Sequence, residues 1–385
     1  MHVLIIASWY PNPSSPHGGI FIQQQVEELR KTEHKIGVIS PFEQVRAVDR
    51  MNSGQDGSDV LQTQFINWLP FLPGSTAYFW TKTGMKLFQE YLAHHGQPDI
   101  IHAHSALYAG VLASKISQET HTPVLLTEHS SYISNRTMPV WKRRMVQRTF
   151  RTIPCKIAVS EFMRIRMIEG YEEDPESWMV LPNMVSTPFF EKPLYNPSMK
   201  SFVLTNIGSL IDVKAQHVLL RALHEVRVRG NQDVLLQIVG RGSREVELKK
   251  LSNKLGLGKN IKWVGRANSK DIPEIISNSH AVVSSSTTET FGMTLAEALA
   301  LGKPVISTDS GGPRDIITPE TGSLVPLNNP SALAGAIIDM YTRYDHYDPE
   351  KLRNYAKSKF SADHIIRCLL KQYERILQPE GHPEG

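Results

Sequence analysis

Glu289 and Glu297 stand eight residues apart in a stretch whose residue types could do chemistry together. Apolar His280 to Val283 reads as a buried strand, Phe291-Gly292 as a turn, and Met293 to Leu301 as a helix stopped by Gly302. Lys303 to Ser307 is the next strand, and Gly311-Gly312-Pro313 closes the unit. Glu289 therefore falls on a loop at a strand's carboxyl end, and Glu297 lies one turn inside the following helix. Free N–H groups of Gly292, Met293 and Thr294 suit an anion such as phosphate. Glu297 can reach back to vicinal hydroxyls, a ribose for instance, while Glu289 can reach past the phosphates to whatever they carry. Phosphates between two hydroxyl-binding carboxylates describe a nucleotide sugar. The plain alternative is a βαβ unit with two solvated glutamates.

The rest of the chain reads as the frame for such a rim. Its first half alternates strands (His2–Ala7, Lys35–Ser40, Asp99–His102, Val124–Thr127, Lys156–Val159, Trp178–Leu181) with helices (Phe21–Lys31, Thr83–His94, Ala109–Thr120, Val140–Ile153). Strands are expected again at Phe202–Ile207, Val234–Val239, Ile261–Val264, Ala281–Ser284, Pro304–Ser307 and Ser323–Val325, with helices at Val218–Arg229 and Arg244–Leu255. Alternation of this kind argues parallel sheets covered on both faces, with ligands at the carboxyl ends of the strands. A length of 385 residues suits two α/β domains. They are placed at 1–190 and 201–360, with a Pro-rich linker at 191–200, a last helix at 361–378 and a disordered tail at 379–385.

The stretch from His280 to Ile317 resembles the donor-site signature of retaining GT-B glycosyltransferases, and most closely glycosyltransferase family four. The resemblance implies two facing Rossmann-like domains, with the last helix crossing back onto the first domain. It further implies that Glu297 binds the nucleotide ribose, that Glu289 binds the donor sugar, and that the donor site includes Phe291, Gly292, Met293 and Thr294. One departure follows Gly311-Gly312, where the family usually has Glu and this chain has Asp315. Between strand Phe202–Ile207 and the next helix the family has Gly-Arg-Leu, a short turn and Lys, both cations gripping the diphosphate. Lys214 matches; Ser209 stands at the arginine position. A helix end offers about half a charge, whereas a departing nucleoside diphosphate carries roughly −2 to −3, so cations are needed. Arg241, between Gly240 and Gly242, is expected to replace part of the missing arginine. Gly18-Gly19 matches a glycine pair near the diphosphate and the acceptor. His129 matches the histidine that contacts the donor sugar by the reacting carbon, and His104 is assigned to the acceptor side. Strand alternation should point Glu128 away from His129.

Composition narrows the field. The chain is 41% hydrophobic and 21% charged with a net charge of +4, an ordinary soluble composition with no argument for nucleic acid. Two cysteines, Cys155 and Cys368, make no disulfide framework. No Asp-x-Asp pair, metal-ligand cluster, dinucleotide fingerprint or phosphate loop is present. The expectation is a metal-independent hexosyltransferase-type enzyme without cofactor, using a UDP- or GDP-sugar and a sugar or lipid-linked glycan acceptor, in cell-surface polysaccharide or glycolipid synthesis. The alternatives are a nucleotide-sugar epimerase on the same fold and an inactive scaffold protein of a polysaccharide assembly. The start reads as a first strand rather than a leader, and a cytoplasmic location is expected. From His129 to Ser160 there are seven Lys/Arg and no Asp/Glu, and Phe65 to Phe88 is aromatic-rich and also free of acids. Residues 136–156 are therefore a candidate contact for an anionic membrane, on the inner face of the plasma membrane.

Overall fold

In the computed structural model, which describes residues 1–16, 18–43, 59–133, 138–198, 200–231 and 233–378, two parallel sheets carry the chain. The chain divides into one compact unit of Met1–Met184 with Ile365 onward, and a second of Val185–His364.

The strands of the first unit are β1 (His2–Ala7), β2 (Lys35–Ile39), β3 (Phe42–Glu43), β4 (Val60–Leu61), β5 (Gln64–Phe65), β6 (Ile100–His104), β7 (Val124–Glu128), β8 (Cys155–Ala158) and β9 (Trp178–Val180). Seven form a parallel sheet in the order β4-β2-β1-β6-β7-β8-β9, and β3 pairs with β5 beside it. Residues Val3 to Ala7 are all fully buried, because helices cover both faces and leave no polar side for the strand to show. The strand order reverses between β1 and β6, and such a reversal opens a crevice at the carboxyl ends.

The second unit holds β10 (Phe202–Ile207), β11 (Val234–Val239), β12 (Ile261–Gly265), β13 (Ala281–Ser284), β14 (Val305–Thr308) and β15 (Gly322–Val325). Their order is β12-β11-β10-β13-β14-β15, all parallel, with the reversal between β10 and β13. Each unit buries its own apolar cluster, and both are Rossmann-like.

Two departures from the sequence reading stand out. The helix expected at Thr83–His94 begins earlier, at Ser75, behind a left-handed Gly74. A short helix not expected from the sequence, Thr187–Glu191, leads into the linker stretch, with Pro188 in its first turn, where proline's missing N–H is harmless. Beyond it, Lys303 donates to the Tyr195 carbonyl at 2.5 Å, and Lys192 pairs with Glu274. The last helix, Ala362–Leu377, belongs from Ile365 onward to the first unit, where Ile365, Leu369 and Tyr373 are fully buried. The tail expected at 379–385 lies outside the described residues.

Candidate active site

The strand reversal in the second unit brings two loops together. After β10 the chain runs through Gly208 to a short 3-10 turn, Asp212–Lys214, and then through Ala215, whose φ of 43° is left-handed. This loop lies backbone-on-backbone against Gly240–Gly242. A Cβ on Gly240, at φ 141°, would overlap the Gly208 carbonyl, so only glycine fits that approach. After β13, Ser285 donates to the Lys214 carbonyl at 2.9 Å, and Thr287 N–H donates to the Val213 carbonyl at 2.8 Å. The two loops are thereby tied.

Lys214 Nζ lies 2.5 Å from Glu289 Oε1, and the Ser286 hydroxyl donates to the same oxygen at 2.7 Å. Glu289 is also held through its backbone: its N–H donates to Ser310, and its carbonyl accepts from Gly312. Loops following three different strands thus fix one carboxylate. Both side chains keep partial access to water, so the pair is available to a ligand.

The helix Met293–Ala300 starts behind Gly292, at φ 112°. The N–H groups of Gly292, Met293 and Thr294 have no acceptor among the described residues, the usual state of a helix's first turn. Glu297 lies one turn in, half-buried, without a hydrogen-bond or ion-pair partner among the described residues. Burial with nothing to offset it raises its carboxyl to about 8. A carboxylate so placed lacks donors, and a pair of sugar hydroxyls would supply them.

Two expected donor residues are placed differently. The Phe291 ring is buried edge-on against Phe360, so only its backbone can reach a ligand. Arg241 is exposed and lies over Gly265 at the end of β12, on the side of the sheet away from β13. It is not brought to Lys214 and Glu289. Arg244, passed over in the sequence, pairs with Asp212 of the Lys214 turn at 3.3 Å and with Glu247.

In the first unit the reversal places β1 and β6 side by side. Gly19 (φ 73°) caps the helix Ile20–Leu29, and a side chain there would overlap the Trp9 carbonyl. Gly18 lines a cavity of about 260 Å³ whose walls include Trp9, Glu43, Trp80 and Tyr108. The rings of Trp80 and Tyr108 stack at 6.0 Å.

His104 and His129 meet: Nδ1 of the former is 3.0 Å from Nε2 of the latter, the rings are nearly parallel, and Phe21 covers His129. Burial drives His129 down to about 3 and His104 well below its ordinary value, so both are neutral and one ring N–H bonds the other ring. His104 is fully buried, and His129 beside it keeps partial exposure. His102 is structural. Its nitrogens sit 2.7 Å from the Tyr373 hydroxyl and 2.7 Å from Thr127 Oγ1, pinning the last helix to the sheet.

Glu128 points away from the histidine pair, and its role was hidden in the sequence. Fully buried, it accepts from the N–H groups of Ala106, His129 and Ser130 and from the Ser105 hydroxyl. Burial outweighs these donors and raises it to about 7. Its ligands hold the turn after β6, where Ser105 (φ 77°) and Tyr108 (φ 73°, ψ −76°) are non-glycine residues in left-handed space. Ser8 secures the same turn through Leu107 and Ala109. The result presents the Tyr108 ring to the cavity.

The basic stretch is smaller than its composition suggests. Lys156 is buried, ion-paired with Glu173 at 3.0 Å and bonded to two carbonyls, so it leaves the candidate surface. Arg143 donates to the Gly170 carbonyl and lies over the Tyr171 ring. Arg136 lies outside the described residues. Arg144, Arg148 and Arg151 are exposed. No helix among the described residues is long and apolar enough to cross a membrane, and no group of three or more His, Cys, Asp or Glu among them could hold a metal ion.

Comparison with known proteins adds the family. Residues 18–188 match the model described as Glycosyltransferase Family 4, and residues 190–359 match Glycosyl transferases group 1. Among relatives, one component of the phosphatidylinositol N-acetylglucosaminyltransferase of Arabidopsis thaliana is 22% identical over 98% of this chain and 83% of its own. The putative teichuronic acid biosynthesis glycosyltransferase TuaC of Bacillus subtilis is 24% identical over 98% and 99%. Among solved structures, sucrose-phosphate synthase from Thermosynechococcus elongatus superposes with a TM-score of 0.79 at 18% identity, covering 99% of this chain and 100% of its own. Anabaena HepE, solved with UDP and glucose, gives 0.73 at 19% identity over 97% and 99%, a likeness of fold. These relatives favour neither an epimerase nor an inactive scaffold. With family models over nearly its whole length and a GT-B fold, the chain belongs to glycosyltransferase family four.

Proposed function

We propose that this glycosyltransferase moves a sugar, with retention at the anomeric carbon, from a UDP- or GDP-sugar to an acceptor hydroxyl in cell-surface polysaccharide or glycolipid synthesis. The observation that carries the reading is the second-unit rim: Lys214 bound to Glu289, a helix start with three free amides, and Glu297 one turn in without a partner. In this reading the diphosphate lies against Lys214 and the amides of Gly292, Met293 and Thr294. Glu297 accepts from the ribose hydroxyls, and Glu289 accepts from hydroxyls of the donor sugar. Lys214 then shares its charge between Glu289 and the phosphate, and no metal is required. The names of the Arabidopsis and Bacillus relatives support a glycolipid or cell-wall polymer as the product.

The bond from the anomeric carbon to the phosphate oxygen breaks, and its electrons leave with the diphosphate. The acceptor oxygen bonds to the same carbon on the face just vacated, and its proton passes to the departing phosphate oxygen. Lys214 and the amides stabilise the charge that develops there, which is where fixed dipoles help most. Neutral His129 offers the sugar a hydrogen bond rather than a charge. The aromatic walls of the first-unit cavity, Trp80 and Tyr108, suit the apolar face of an acceptor sugar ring, with Glu43 among its polar groups.

The test couples binding to turnover. UDP, GDP and their common sugar conjugates are screened by thermal shift, and nucleoside diphosphate release is then followed with and without candidate acceptors. Release should depend on the acceptor, and Glu289→Ala should lower it at least a hundredfold with circular dichroism unchanged. A Glu289→Ala enzyme with undiminished turnover refutes the assignment, and an inverted product by NMR refutes retention.

A further inference from the structure

Between β5 and the helix Ser75–His95 the chain exposes an unusual set of side chains. Phe71 is 96% accessible and Trp68 74%, and Ile66, Leu69 and Leu72 are each close to half exposed. Scattered apolar residues on a surface are ordinary, but five within seven positions form a patch. The loop has a defined shape. Asn67 accepts from the Leu69 N–H at 3.0 Å and donates to Ser75 and Thr76 hydroxyls, and Leu72 N–H donates to the Leu69 carbonyl. These bonds hold the large side chains outward.

The patch continues onto a second element. A Cβ on Gly74 would stand 3.9 Å from the Trp141 ring, which places the start of the helix Val140–Thr152 beside the loop. Val140 there is 63% exposed. The Lys142 ammonium lies over the Trp141 and Tyr132 rings, and Arg144, Arg148 and Arg151 follow along the helix. Neither Phe65–Phe88 nor Val140–Thr152 contains an acidic residue; Glu119, across a groove from Arg144 and Arg148, is the acid that faces them.

We propose that this face docks on an anionic lipid bilayer, with Trp68, Leu69, Phe71 and Leu72 entering the acyl boundary and Arg144 and Arg148 at headgroup phosphates. Aromatic and aliphatic side chains beside a row of cations match the layering of a membrane interface, apolar below and anionic above. A second copy of the chain fits worse, since a two-fold contact would bring the arginine rows of both copies together with no acids between them. The docking is independent of the transfer reaction proposed above. It puts the enzyme where an acceptor carried on lipid would be found.

The test is flotation of the full chain with vesicles of phosphatidylglycerol and phosphatidylethanolamine, and with phosphatidylcholine alone. Wild type should float with the anionic vesicles, with a blue shift of tryptophan emission. Trp68→Ser/Phe71→Ser should cut the bound fraction at least tenfold at low and high salt. Arg144→Gln/Arg148→Gln should cut it several-fold on anionic vesicles and leave phosphatidylcholine binding unchanged. Nucleotide-induced thermal shift, unchanged in both variants, confirms folding. Equal binding by the Trp68/Phe71 variant overturns the proposal. So does wild type that stays in the aqueous fraction, including as a dimer that the Trp68/Phe71 variant dissociates.

Discussion

Replacing Glu297 by glutamine tests the donor site through a property of the free protein. Burial without a partner raises this carboxyl from an ordinary 4.5 to about 8. Each pH unit between those values is worth about 1.4 kcal/mol, so the ceiling is on the order of 5 kcal/mol. Water at the open side of the half-buried group screens part of this and leaves roughly 2–4 kcal/mol. The sign follows from proton counting. Between pH 4.5 and 8 the folded protein holds a proton on Glu297 that the unfolded chain has released. Stability from this group is therefore complete below 4.5 and is lost as pH rises towards 8. Glu297→Gln keeps the shape and removes the titration. Melting of both proteins at pH 5, 6, 7 and 8 should show the variant gaining on wild type as pH rises. Glu128, raised to about 7, adds a slope common to both proteins, so their difference isolates Glu297. Binding should move oppositely. Hydroxyls donating to the carboxylate restore its lost solvation, so binding of the nucleoside diphosphate should release a proton and tighten up to tenfold per pH unit from 6 to 8. The variant should bind weakly with a flat profile. Parallel melting profiles, or nucleotide affinity in wild type that ignores pH, would refute the placement of Glu297.

Two further substitutions probe the frame around the sites. Gly240→Ala meets the Gly208 carbonyl at a φ of 141°, so it should cost about 2 kcal/mol or more in urea unfolding and weaken nucleotide binding by displacing the Lys214 loop; a neutral variant would show that the loop gives way. Tyr373→Phe leaves the buried Nδ1 of His102 without its partner and should destabilise the first unit by about 1–3 kcal/mol, read by chemical denaturation. A loss under about 0.5 kcal/mol would mean that His102 finds another partner.

What could be read from sequence followed local pattern. The apolar runs Val282-Val283 and Val305-Ile306, the Gly292 turn and the helix behind it placed Glu289 and Glu297 on one rim, because period and glycine chemistry are local. The bond between Lys214 and Glu289 joins residues 75 apart and depends on which strands neighbour each other, which no short window records. Arg241 is a related case: its strand and rim were legible, its lean over Gly265 was not. Lys156 looked like one more cation in a basic run, yet its strand turns it inward onto Glu173. Glu128 is the instructive miss. Its carboxylate serves N–H groups of a turn on the adjacent strand, and the strain at Ser105 and Tyr108 carries no glycine to mark it. The Ile66–Leu72 loop was visible as an acid-free aromatic run, but composition alone does not separate a buried run from an outward one.

The path of the chain sets an order for its own assembly. It leaves the first unit at Met184 and returns to it at Ile365, with Val185 N–H bonded to the Phe360 carbonyl at 2.8 Å, so the intervening unit starts and finishes at adjacent points. On the ribosome, the amino-terminal sheet must wait for every residue of the inserted unit before Ile365, Leu369 and Tyr373 can cover it. Until then His102 lacks its tyrosine. Cutting the chain before Ile365 therefore injures the half that was synthesised first.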